Sequence, residues 1–116
     1  MFLATVGGIG LVLAAPVQAD DALRVKIAKI GANLAGYNYQ NYQYCGAAAG
    51  DLTAIKAKDH EKFAAAGPDY DASFAAGVAD SVDKRNNGIA QLGEAKYKAS
   101  VCPDVLKALQ GKLTGR

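Results

Sequence analysis

DDALRVKIAKIGANLAGYNYQNYQYC, residues 20–45, carries two apolar lines at the period of an α-helix. At 100° per residue, Leu23, Ile27, Ile30, Leu34, Tyr37 and Tyr44 fall close to one line, and Cys45 joins them. Val25, Ala28, Ala32, Ala35, Tyr39 and Tyr42 run along the opposite side. A helix that is apolar front and back belongs at the centre of a bundle. Both lines are therefore expected to be covered, with Ala28, Ala32 and Ala35 letting a second helix approach closely. Gly31 and Gly36 each cost about 1 kcal/mol relative to Ala, so a kink or fraying is expected there.

Downstream, Asp51 is a candidate N-cap for a second helix in which Leu52, Ile55 and Phe63 share a face, and Gly67-Pro68-Asp69 ends it. A third helix is expected from Asp69 or Asp71 to about Lys98, because Phe74, Ala75, Val78, Val82, Ile89 and Leu92 stay in phase across Asn86-Asn87-Gly88. The Asn-Gly pair leaves helix, turn, helix as the alternative. The last helix is expected to start at Pro103, with Asp104 in its first turn, Val101 stapled on Leu106, and Val105, Leu106, Leu109 and Leu113 as its buried stripe. No run alternates with period two. The expectation is an all-α fold, a small antiparallel bundle of four helices, with three to five as the range.

Upstream, the first nineteen residues hold no charge, and Phe2 to Ala15 are almost wholly apolar. Val17-Gln18-Ala19 presents small residues at the positions that a signal peptidase reads, so residues 1–19 are expected to be an export signal and 20–116 a single helical domain. The segment lacks the usual basic start, and a retained membrane anchor is the rival reading. All thirteen basic and eleven acidic residues follow the leader, a net charge of +2 that argues against a dedicated nucleic-acid binder. The domain holds eighteen Leu, Ile, Val and Phe residues against twenty Ala, a thin core in which a covalent staple would matter.

Cys45 and Cys102 supply that staple: two cysteines in an exported chain imply an intramolecular disulfide, with free thiols or an intermolecular bond as the alternative. Without Cys-x-x-Cys or Cys-x-x-Cys-His, thioredoxin-type redox chemistry and c-type haem attachment lack their ligands. His60 is the only histidine, and its neighbours Asp59 and Glu61 point about 100° away on either side, so the three cannot converge on one ion. It reads as a surface or boundary residue. A serine nucleophile at Ser73, Ser81 or Ser100 would have to use His60, and no recognisable elbow presents any of them. No cofactor or metal is expected.

The run Tyr37-Asn38-Tyr39-Gln40-Asn41-Tyr42-Gln43-Tyr44 admits two readings. In one it belongs to the packed centre of the bundle. In the other Asn38, Tyr39, Tyr42 and Gln43 form a contact patch for another envelope or secreted protein or for a second copy, since tyrosine offers large area at low entropy cost. Arg85 interrupts the apolar stripe of the third helix; a hairpin about Pro68 would place it beside Asp51, and an ion pair is expected there. The leading functional expectation is a non-enzymatic periplasmic or secreted protein that acts by protein binding as a chaperone, inhibitor or accessory subunit. The rivals are a carrier of a small apolar ligand between the helices and a small hydrolase with an unrecognised site. No membrane association is expected unless the leader is retained.

Overall fold

A computed structural model describes the backbone of residues 2–115 and the side chains of Asp20 to Gly115. The export signal expected over residues 1–19 lies outside the residues whose side chains are described. Among the described residues the fold is all-α: α1 (Phe2–Tyr44), α2 (Ala49–Lys62), α3 (Tyr70–Leu92) and α4 (Glu94–Leu113), with a single 3-10 segment, Ala64–Asp69, between α2 and α3. Among residues 20–115, no helical stretch is long and apolar enough to cross a membrane.

The bundle is organised around the Ala line of α1. Ala28, Ala32 and Ala35 are buried, as are Gly77 and Ser81 on α3. On α1 the small residues Ala28, Ala32 and Gly36 recur every four positions, and on α3 Ser73, Gly77 and Ser81 do the same. Rows at i±4 are the ridges by which helices interlock, and here each ridge is small enough for backbones to touch. A Cβ on Gly36 would fall on the Phe74 carbonyl, and one on Gly77 would fall on the Asn33 carbonyl. Two polar contacts fix the register: Ser81 donates its hydroxyl to Asn41 Oδ1 at 2.9 Å, and the Asn33 side-chain amide donates to the Ser73 carbonyl at 3.3 Å.

This arrangement reverses one expectation. Leu23, Ile27, Ile30 and Leu34, which a helix central to the bundle would bury, are all more than half exposed, at 55–57 %. The physical reason is the α1–α3 contact. Once two small-residue ridges meet at backbone distance, only the face of α1 that bears one of them can be covered by α3, and the aliphatic line is about 170° round the helix from it. Gly31 and Gly36 do not break the helix: α1 runs without interruption to Tyr44, and the space beside Gly31 is filled by the Phe63 ring.

Two small clusters make the core. Ala28, Ala32, Ala66 and Tyr70 form the first, flanked by Phe63 and Phe74; Tyr42, Ile55 and Leu109 form the second, flanked by Tyr39, Leu52, Val105 and Leu113. Cys45 and Cys102 are bonded, with Cα atoms 5.3 Å apart and 57 positions between them in sequence, and they pin the end of α1 to the middle of α4.

The helix limits differ from expectation at three places. α3 passes through Asn86-Asn87-Gly88 but stops at Leu92, because Gly93 adopts φ 83°, ψ 151°, a conformation reserved for glycine. Its N–H closes α3 on the Ile89 carbonyl at 2.7 Å, and its carbonyl opens α4 by accepting from Tyr97 at 3.0 Å. α4 therefore begins nine residues before Pro103, which lies inside the helix and leaves the Ala99 carbonyl without its helical donor. Asp51 is in the first turn of α2 and not its cap; Ala48 holds that position without a side-chain hydrogen bond.

Candidate functional site

The tyrosine run is divided between core and boundary. Tyr42 is buried, 3 % exposed, against Ile55 and Leu109, so it is core rather than contact surface. Tyr39 is half-buried, tilted against the Phe74 ring at a centroid distance of 5.6 Å and covered by the Lys56 ammonium. Asn38 is half-buried beside a cleft and Gln43 is exposed, so the four residues expected to form one patch present no common surface. The reason is the same reversal: turning the Ala line inward carries Tyr39 and Tyr42, which lie on it, inward as well.

The Asp51–Arg85 pair does not form. α3 packs along α1 rather than folding back as a hairpin on α2, which meets α1 and α4 instead. The Asp51 carboxylate accepts from the Gln110 side-chain amide at 3.0 Å, and the Arg85 guanidinium lies over the Tyr44 ring, 4.5 Å from its centre. Arg85 Nη1 is buried there without a hydrogen-bond acceptor. Cation–π contact with the ring face replaces the carboxylate. Tyr44 also donates its hydroxyl to Glu94 at 3.0 Å, and partial desolvation followed by that bond raises its pKa above the ordinary phenol range.

His60 is exposed, with its ring edge-on to Tyr70 at 4.5 Å, and among the described residues no three His, Cys, Asp or Glu side chains come together to hold a metal ion. Neighbouring Asp59 is half-buried; desolvation raises its carboxyl pKa, opposed first by the Lys112 ammonium. Tyr70, buried, has its hydroxyl pKa raised by desolvation and then by Asp59, and the hydroxyl has no hydrogen-bond partner.

Two of the clefts that border α1 flank its exposed side. One, of about 630 Å³, lies between α1 and the start of α3, with Val25, Lys26, Lys29 and Ile30 on one wall and Asp69, Ala72 and Ala76 on the other; Lys29 and Asp69 pair at 3.7 Å. The other, of about 530 Å³, has Leu34, Ala35, Ile55 and Phe63 as an apolar floor and Lys58, Asp59, Lys62 and Lys112 around it. Both open to solvent, so an apolar ligand in either would stay wet over much of its surface.

Between these clefts, on the outward side of α1, runs the aliphatic line. Leu23, Ile27, Ile30 and Leu34 occupy three turns of helix, and spacings of four, three and four residues keep them in one straight row. A single exposed aliphatic residue is ordinary, but four in contiguous register are the feature that marks interaction surfaces. This is the surface the described residues leave unexplained by folding. No family model matches the chain, and searches of curated proteins and of solved structures find no significant similarity.

The row is plain in the sequence, but a helix apolar on both sides does not say which side stays uncovered. The signal that would have exposed it is the matching small-residue ridge on α3, Ser73, Gly77 and Ser81, which has no use except against another small-residue ridge.

Proposed function

We propose that the chain is a non-enzymatic helical protein of an oxidising envelope or extracellular compartment that acts by binding a protein partner through the exposed aliphatic row of α1. The observation that carries this reading is the exposure of Leu23, Ile27, Ile30 and Leu34 on a helix whose other face is tightly packed. Residues so placed contribute less to the fold than buried ones, and covering the 55–57 % of each that is exposed would release about 1–1.5 kcal/mol of hydrophobic free energy. The Cys45–Cys102 bond supports the compartment, since such bonds persist outside the reducing cytosol. The apolar, charge-free stretch before Asp20 supports export and cleavage after Ala19.

A photo-reactive amino acid at Ile27, activated in intact producing cells, tests the binding reading. A discrete cross-linked species is expected from Ile27 and not from exposed Asp80 on α3; equal yields from both positions, or none from Ile27, would contradict it. N-terminal sequencing tests the leader: the mature chain is expected to start at Asp20, and a protein retaining Phe2 to Ala19 in the membrane fraction would show an anchor.

A further inference from the structure

We propose that the occupant of the aliphatic row is a second copy of the same chain, paired antiparallel through α1 about a two-fold axis between Ile27 and Ile30. The inference rests on the binding reading above and names its partner.

Spacing is the first argument. Leu23, Ile27, Ile30 and Leu34 alternate by four and three residues, the seam of a two-stranded coiled coil, in which each seam side chain enters a hole on the facing helix. Most soluble oligomers are closed and symmetric, and a two-fold interface requires a surface that is complementary to itself. In an antiparallel pair centred between Ile27 and Ile30, Ile27 meets the partner's Ile30, and Leu23 meets the partner's Leu34. All four apolar residues are then used, with each large side chain opposite another.

Charge fixes the direction. Extending the seam one step toward the N-terminus reaches Asp20, and one step toward the C-terminus reaches Tyr37. A parallel pair would set Asp20 against the partner's Asp20. The antiparallel pair sets it against the partner's Tyr37, whose ring lies 6.0 Å from the Lys84 ammonium. Like charges are thereby separated, and the acidic group meets a neutral ring that already lies near a basic one, which is how interfaces fix register.

Area is the third argument. Four side chains that are 55–57 % exposed present roughly 400 Å² of apolar surface per copy, or about 800 Å² for the pair. At the roughly 65 % apolar share of homodimer interfaces this corresponds to a total of about 1,200 Å², at the lower edge of specific assemblies and above the roughly 1,000 Å² that a biological interface needs. The dimer is therefore expected to be weak and concentration-dependent.

Sedimentation velocity on the purified chain, from about 1 to about 500 µM, tests this directly, with a mass spectrum fixing the N-terminus it carries. A concentration-dependent shift from monomer to dimer is expected. Ile27→Lys and Ile30→Glu should each weaken dimerisation at least tenfold while leaving the helical circular dichroism unchanged. Mixed in equal amounts, the two variants should associate more tightly than either alone, because only the antiparallel heterodimer places the new lysine against the new glutamate. A wild-type chain that stays monomeric throughout, or that dimerises undiminished with Ile27→Lys, would overturn the proposal, and a mixture no tighter than its components would overturn the antiparallel register. A monomeric chain whose Ile27 still cross-links to a different polypeptide in cells would sink this inference and leave the binding reading standing.

Discussion

Removing the Cys45–Cys102 bond should be the most damaging change that leaves every packed side chain in place. The loop it closes spans 57 positions, for which the loss of denatured-state entropy amounts to about 4 kcal/mol. Little in the fold compensates: the largest side chains with under 2 % exposure are Ile55, Leu109 and Ser81, and the rest of the buried set is mostly alanine. A domain of this size holds about 5–15 kcal/mol in all, so the bond carries a substantial share. It also holds α4 at the point where Pro103 has weakened the helix ladder. At roughly 4–8 °C per kcal/mol, Cys45→Ala with Cys102→Ala should lower the melting temperature by about 15–30 °C, and tris(2-carboxyethyl)phosphine should do the same to the wild type. Thermal melts followed at 222 nm, with free thiols counted before and after reduction, measure this. A fully reduced protein melting within a few degrees of the oxidised one would refute the argument that the alanine core is marginal.

Two further outcomes follow from the same geometry. Gly77→Ala should destabilise by about 1–3 kcal/mol, because its Cβ meets the Asn33 carbonyl and backbone cannot retreat as a side-chain tip can, so urea unfolding should show a lower midpoint at an unchanged slope. Asp59→Asn should stabilise near neutral pH and not in acid: desolvation raises the folded-state carboxyl pKa, so the stability present when the group is neutral, below about pH 4, is lost as pH rises through the raised value, and melts of both proteins at pH 3 and pH 7 read the difference.

The helical class, the rough positions of the segments and the disulfide were legible in sequence, since each rests on local chemistry: apolar lines at helical period, Gly67-Pro68 before α3, and a cysteine pair downstream of a charge-free stretch. The facing of α1 was not. A helix with an aliphatic line on one side and an alanine line on the other can turn either way, and burial of the larger residues is the default expectation; here the backbone contact permitted by Gly36 and Gly77 overrides it. The misplacement of Asp51, Arg85, Tyr39 and Tyr42 follows from that one choice, because α3 occupies the Ala face of α1 and is drawn away from α2. The end of α3 was missed for a separate reason: Asn86-Asn87-Gly88 advertises a turn, yet Gly88 serves to seat the Tyr97 ring and Gly93 makes the break.

Whether the aliphatic row is surface or core decides the whole account, and a single melt at low protein concentration answers it. Leu23→Gln, Ile27→Gln, Ile30→Gln and Leu34→Gln combined should leave the protein folded at room temperature, with the melting temperature lowered by at most about 15 °C, since exposed substitutions shift stability by no more than about 0.5 kcal/mol each and roughly 4–8 °C corresponds to 1 kcal/mol. Were the row core, each change would cost about 2–5 kcal/mol, and the quadruple variant would be unfolded at room temperature.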